Sequence, residues 1–168
     1  MKKLITFIML LLIVVACKKD NKNRGKTVEN VSTNETYLTA IVDGVDFSVN
    51  SKKVLFIAFS GQLSRKSGIV GTNADGYEIS FMLPNPVTEG SIDTSTKEPK
   101  IILSYSESAN KASWTVGNDN NPTSMPFTFT ILKNGKNFVE GTFSFTALNI
   151  KDNTRKQITN GKFKAEKL

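Results

Sequence analysis

The chain has 168 residues, with 22 basic and 15 acidic side chains, one cysteine and no histidine. The absence of histidine removes the commonest general base and the commonest zinc ligand, and the single cysteine, Cys17, cannot form an intrachain disulfide. We therefore expect no enzymatic activity, no catalytic residues, no metal site and no cofactor. The basic excess lies near both ends of the chain rather than on one predicted face, so we also expect no nucleic-acid partner.

Residues 1–16 have the pattern of a lipoprotein signal peptide. Lys2 and Lys3 form a basic head, and residues 4–15 are apolar except for Thr6. This apolar run is too short for a membrane-spanning helix, which needs about 20 residues, and it fits the apolar region of an exported precursor. We expect cleavage after Ala16.

The residues around the cleavage site predict a lipid anchor. Residues 14–17, Val-Val-Ala-Cys, resemble a bacterial lipobox, in which the cysteine after the cut is acylated. Residues 17–35 are mostly polar, which is typical of a flexible tether that begins at the lipidated Cys17. Residues 18–20, Lys-Lys-Asp, resemble the surface-export signal of Bacteroidota lipoproteins. We expect a lipid-anchored outer-membrane protein, either surface-exposed or periplasm-facing.

Residues 36–168 have the pattern of a single all-β domain. Short runs of β-branched and aromatic residues alternate with Gly, Asn, Asp and Pro, which is the signature of strands and turns. Because short loops join neighbouring strands, we expect an antiparallel two-layer β-sandwich of about eight to ten strands, or alternatively a calycin-like meander barrel. The predicted strands cover 37–42, 45–49, 53–60, 68–73, 77–83, 99–105, 112–117, 126–133, 137–148 and 156–165.

One predicted hairpin has a register that can be worked out from the sequence. Its first strand alternates Phe with Thr over 127–130, and its second alternates Phe with Thr or Ser over 142–146. A two-residue turn at 134–135 would place the two pairs of phenylalanines on opposite faces of the hairpin. We expect a three-residue loop with Gly135 in the left-handed conformation, or a bulge at Gly141, so that all four phenylalanines share one buried face.

Two segments carry a family resemblance. Residues 141–147, followed by 158–163, resemble the closing strands of a family of small Bacteroidota lipoproteins of unknown function. Residues 39–44 with Phe47 resemble that family's opening hairpin. The resemblance implies an exported β domain, and it implies no known activity and no functional residues.

Aromatic and acidic residues are the remaining site candidates. Trp114 and Tyr105 on neighbouring predicted strands are weak candidates for stacking on a sugar ring, although Trp114 shares its parity with apolar neighbours and is better explained as a core residue. Asp43 and Asp46, like the oxygen-rich segment 118–121, are better explained by turn conformation than by a metal site.

The C-terminal segment is rich in lysine. We interpret Lys162, Lys164 and Lys167 as the solvated face of a last strand at a sheet edge, where lysine discourages pairing between molecules.

These observations leave three functional hypotheses. The first is a non-enzymatic binding or interaction module, anchored to the membrane through the lipid on Cys17, with a glycan or an envelope protein as partner. The second is a carrier of a small ligand or glycan with an internal cavity of a calycin-like barrel. The third is a carboxylate-dependent envelope hydrolase, which would need two acids that converge in a groove.

Overall fold

A computed structural model describes residues 35–50, 54–60, 65–108, 112–117 and 125–168. The predicted signal peptide, Cys17 and the tether up to residue 34 lie outside the described residues, as does segment 118–121.

The described residues form an all-β structure, as the sequence predicts. Eleven strands alternate with turns and loops, and no helix occurs in the described ranges. In chain order the strands are β1 (Tyr37–Val42), β2 (Val45–Asn50), β3 (Val54–Ala58), β4 (Lys66–Thr72), β5 (Tyr77–Pro84), β6 (Gly90–Asp93), β7 (Ile102–Glu107), β8 (Ser113–Gly117), β9 (Phe127–Asn134), β10 (Phe138–Leu148) and β11 (Arg155–Lys167).

The strands form one continuous hydrogen-bonded sheet that folds into two layers. The front layer has the antiparallel order β2-β1-β11-β10-β9-β6. The back layer is the antiparallel meander β3-β4-β5-β7-β8. The predicted β-sandwich is therefore confirmed, with β6 as an eleventh strand between the predicted strands 77–83 and 99–105.

Two corner pairings join the layers. The end of β11 runs parallel to β3, where Glu166 opposes Leu55, and the end of β10 meets β8, where Leu148 opposes Thr115. These corners close a ring of seven strands, but β2-β1 and β9-β6 extend the front layer beyond that ring. The alternative of a simple meander barrel is therefore wrong for this chain.

Aromatic rings fill the space between the layers. Phe81 of the back layer lies 5.0 Å from Phe129, 4.7 Å from Phe143 and 5.7 Å from Phe163, measured between ring centroids. Each of these side chains is at most 3% exposed. Rings at such separations in tilted geometry contribute packing energy beyond the burial of their area, so the centre of the sandwich is a filled core.

The predicted register of the β9–β10 hairpin is confirmed. Of the two predicted causes, a three-residue loop or a bulge, the structure contains the bulge. Phe129 opposes Phe143 and Phe127 opposes Phe145, so all four rings lie on the buried face. The pairing shifts between Glu140 and Gly141, which leaves one extra residue on β9.

The position of β11 differs from the prediction. The last strand lies inside the front layer between β1 and β10, not at an edge. Lys162 and Lys164 are on its outer face, whereas Lys167 has the opposite parity and donates hydrogen bonds to the Asn134 side chain and the Gly135 carbonyl. The predicted edge function of these lysines is therefore wrong, because neighbouring strands pair with β11 on both sides.

Candidate functional site on the front layer

A row of polar side chains crosses the outer face of the front layer at right angles to the strands. Each member is flanked on its strand by core-facing side chains or by a glycine, so alternation along the strand directs its side chain outwards. Cross-strand pairing places the members next to each other in one line. This polar row consists of Ser48, Thr39, Lys162, Thr142, Thr130 and Ser91.

The polar row is long and is supported by hydroxyl pairs. Six neighbouring strands about 4.8 Å apart give it a length of roughly 24 Å. The hydroxyl groups of Ser91 and Thr130 lie 2.8 Å apart, and those of Thr128 and Ser144, in the next row, lie 2.9 Å apart. Paired hydroxyl groups of this kind still have lone pairs for a ligand, because a hydroxyl can donate once and accept twice.

A bulge in β11 opens a recess beside the row. Thr159 and Asn160 together stand opposite Ser144, and the pairing with β1 shifts at the same place. Asn160 has a φ of 54°, a left-handed conformation that asparagine tolerates better than most residues. The extra residue therefore displaces the strand locally and interrupts the even outer surface.

The recess and the central part of the polar row together form what we call the polar groove. It has a volume of about 600 Å³ and is open to solvent. Its side-chain lining consists of Thr39, Thr128, Thr142, Ser144, Asn160 and Lys162, and its floor includes Phe143 and Gly161. The groove thus offers hydroxyl, amide and ammonium groups on a rigid sheet.

Most charged side chains around the polar groove already contact other residues. On the row above it, Lys164 lies 3.8 Å from Glu140. At the far side, Asp93 accepts hydrogen bonds from the side chain and backbone of Ser95, and these bonds lower the pKa of the Asp93 carboxyl. Burial and the nearby Glu140 raise the pKa of Tyr37 at the start of β1.

Trp114 and Tyr105, the weak ligand candidates from the sequence, lie inside the sandwich. They are 5% and 4% exposed, and their ring centroids are 5.8 Å apart. The Trp114 indole donates a hydrogen bond to the Thr154 hydroxyl at 2.9 Å. Burial, followed by the charge of Glu107, raises the pKa of Tyr105. Neither ring offers a free face to a sugar, so the interpretation of Trp114 as a core residue fits its position.

Lys156 lies over this aromatic pair and ties together several elements. Its ammonium is 5.2 Å from the Trp114 ring centroid, 3.1 Å from Glu107 and 3.3 Å from Asp43. Partial burial lowers the pKa of Lys156, but its hydrogen bonds to Glu107 and Asp43 outweigh this effect, and the net pKa is raised. The cluster connects the front layer, the β1–β2 turn and the back layer.

Asp43, one of the acidic candidates, has structural partners. Asp43 has a φ of 49° in the β1–β2 turn, and its carboxylate accepts a hydrogen bond from the Gln157 backbone. Among the residues that the structure describes, no group of three or more His, Cys, Asp or Glu side chains converges as a metal site would require.

The back layer carries a second, smaller recess on its outer face. It has a volume of about 270 Å³ and is largely apolar, with Phe59 close to Gly68 and with Met82 and Ile102 nearby. Most of its lining residues are apolar and half-buried, and its polar members are Glu78, Ser80 and Ser104.

The comparisons with known proteins give no match. No protein-family model, no curated protein and no solved structure matches this chain. In the described ranges, no helix has the length and apolar character needed to cross a membrane.

The sequence predicts the polar face but not the groove. The alternation of Thr and Ser with Phe over 127–130 and 142–146 predicts a hydroxyl-rich face, which the structure confirms. The contributions of Thr39 and Lys162 depend on pairing between distant strands, and the recess depends on the bulge at Asn160. The Asn160-Gly161 dipeptide is the one local signal that could have indicated it.

Proposed function

We propose that this protein is a non-enzymatic binding module, anchored in the cell envelope through Cys17, whose binding surface is the polar groove. The observation that carries the proposal is the polar row, an unbroken line of hydroxyl groups with one lysine across six strands. Solvated polar residues are common on sheets, but here they are aligned and form part of a groove of about 600 Å³.

The chemistry of the groove favours a polysaccharide over a peptide. The groove lies on a sheet face, where the backbone groups of β1, β11 and β10 already bond to one another. A peptide that binds by strand addition needs a free edge, and one that binds by its side chains needs apolar pockets. The polar side chains of the groove carry hydroxyl, amide and ammonium groups, which can form hydrogen bonds with the hydroxyl groups of a sugar chain.

The packing of the core weighs against the carrier hypothesis. A carrier would need an internal cavity of a few hundred Å³. Phe81 and the three phenylalanine rings around it occupy the space between the layers instead, with centroid separations from 4.7 to 5.7 Å. The polar groove and the smaller apolar recess both lie on outer faces of the sheet.

Two of the described acids lack the property that the hydrolase hypothesis requires of its general acid. A general acid for glycoside cleavage needs a raised pKa. Asp93 and Asp152 instead have lowered pKa values, because each accepts hydrogen bonds from neighbouring side-chain hydroxyls and backbone amides.

The test is binding of the full chain, in detergent, to a panel of immobilised neutral and acidic polysaccharides. Replacing Thr39, Thr130 and Thr142 together with valine removes three hydroxyl groups but keeps the shape of the side chains. At about 0.5 to 1.5 kcal/mol for each lost hydrogen bond, we expect at least a tenfold loss of affinity. Thr72→Val, on the outer face of the back layer, is the matched control. The proposal is wrong if no polysaccharide binds, or if the triple variant binds as well as the control.

A further inference from the structure

Lys162 stands at the centre of the polar row and differs in its surroundings from the other lysines of β11. Its neighbours across the strands are Thr39 on one side and Thr142 on the other. Within the described residues, Lys156 and Lys164 lie within ion-pair distance of carboxylates, whereas no such pair is found for Lys162. Lys162 is also exposed, so its ammonium is accessible to a ligand.

The polar groove is positively charged for this reason. Among its lining residues, Lys162 is the one ionisable side chain, and the rest are hydroxyl, amide, aromatic or glycine. The nearest carboxylate on the adjoining row, Glu140, lies 3.8 Å from Lys164. Asp46 and Asp93 lie outside the groove lining, towards the two edges of the layer.

Binding of a neutral chain would cover this ammonium without giving it an opposite charge. Removing a charged group from water is costly unless the ligand returns comparable interactions. An anionic group returns a charge-assisted hydrogen bond, which is about twice as strong as one between neutral groups. The ligand that satisfies the whole groove therefore combines sugar hydroxyls along the row with one negative charge at Lys162.

On these grounds, and on the basis of the proposed function, we infer that the polar groove binds an acidic polysaccharide, with a carboxylate or sulfate of the sugar chain on the Lys162 ammonium and neighbouring sugar hydroxyls on the threonines. The polar row extends beyond Lys162 on both sides. The bound polysaccharide would therefore run across the strands, with its acidic sugar near the middle of the bound segment.

The experiment compares three probes on the full chain in detergent: an oligogalacturonate, its neutral methyl ester and a sulfated galactan oligomer. The methyl ester keeps the sugar ring and its hydroxyls but removes the charge, so it isolates the contribution of Lys162. We expect an acidic probe to bind about three- to fivefold more tightly than the ester, the size of effect that an exposed ion pair supports. The two acidic probes distinguish a carboxylate from a sulfate ligand.

Charge variants complete the test. Lys162→Gln should remove the preference for the acidic probe, and Lys162→Arg should retain it. Lys151→Gln, at an exposed lysine in the β10–β11 loop, should leave the preference unchanged. Raising the salt concentration should weaken the binding of the acidic probe to the wild type and to Lys151→Gln. It should not weaken the binding of the same probe to Lys162→Gln.

The failure of this inference is distinguishable from failure of the proposed function. If the ester and both acidic probes bind equally and Lys162→Gln changes nothing, while the triple valine variant loses binding, the inference falls and the proposed function stands. If none of the three probes binds the wild type, the inference is overturned as well. A preference for the acidic probes over the ester that persists in Lys162→Gln also contradicts it.

Discussion

Two glycines of the front layer lie directly opposite phenylalanines. Gly141 on β10 opposes Phe163 on β11, and Gly161 on β11 opposes Phe143 on β10. A Cβ atom at either glycine would collide with the ring of its partner. Each ring thus occupies the space that the glycine leaves open, which explains how two adjacent large side chains fit on neighbouring strands.

A methyl group at Gly141 should therefore destabilise the fold. The added Cβ would meet the Thr130 carbonyl oxygen, which belongs to the backbone, and also the Phe163 ring at 2.6 Å. We expect Gly141→Ala to lower the free energy of unfolding by about 3 kcal/mol, as measured by urea denaturation. Gly135→Ala is the control, because its Cβ would meet nothing closer than 3.4 Å, and it should cost less than about 1 kcal/mol. Equal effects of the two variants would contradict this account.

Lys156 connects both layers through charge and through the ring faces of Trp114 and Tyr105. The pKa of Lys156 is higher in the folded protein than the ordinary lysine value. Protonation of Lys156 therefore stabilises the folded state relative to the unfolded state. This contribution is fully present below the ordinary lysine pKa of 10.5 and is lost as the pH rises through the higher pKa of the folded state.

Lys156→Met should show this linkage. We expect the variant to be less stable than the wild type by about 1 kcal/mol near neutral pH, through loss of the ion pairs and the cation–π contacts. The difference between their melting temperatures should shrink as the pH is raised above 10.5. A difference that stays constant through this range would show that the Lys156 proton has no part in stability.

Among the structural elements, the β9–β10 hairpin determines both the core and the groove. One face carries the phenylalanines that pack between the layers, and the other carries the hydroxyls of the polar groove. The bulge at the register shift between Glu140 and Gly141 places the phenylalanines of both strands on one face and the hydroxyl residues on the other, because it shifts the pairing by one residue.

Truncation of a core ring on this hairpin should be costly. Phe143 is 3% exposed and lies 4.7 Å from Phe81, so Phe143→Ala should reduce the free energy of unfolding by about 3 to 5 kcal/mol. Leu132→Ala on β9, where the side chain is 61% exposed, should change it by less than about 0.5 kcal/mol. Urea denaturation of both variants tests this, and a small effect at Phe143 would mean that the ring is not in the core.

The hairpin also shows how far the sequence alone could predict this structure. Alternation of apolar and polar residues is local, so it predicted most strands, the buried rings and the hydroxyl face of residues 142–146. The parallel pairing of β11 with β3 and the central position of β11 depend on contacts between distant parts of the chain. The groove requires Thr39 next to Lys162, which no local pattern specifies.

The whole molecule is proposed to combine a lipid anchor with this rigid binding face. The predicted tether ends at residue 35, and the polar row begins four residues later, at Thr39. In this proposal the lipid on Cys17 holds the groove at the membrane.

Cys17→Ser should abolish the anchor. Several acyl chains, at about 0.8 kcal/mol for each buried methylene, hold a protein at a membrane far more firmly than a single chain does. We expect the wild type to enter the detergent phase in phase partitioning and to incorporate labelled fatty acid, and the variant to incorporate none. Recovery of the variant as a cleaved, detergent-phase protein would contradict the lipoprotein assignment.

The most direct test of the binding surface is threonine-methyl NMR of the full chain in detergent, titrated with the oligogalacturonate and with its methyl ester. We expect the methyl signals of four threonines to shift when a probe binds, while the Thr72 signal on the back layer stays in place; the four are Thr39, Thr128, Thr130 and Thr142. Shifts confined to Thr72, or bound probe without any change at these four threonines of the groove and the polar row, would contradict the assignment of the polar groove as the binding site.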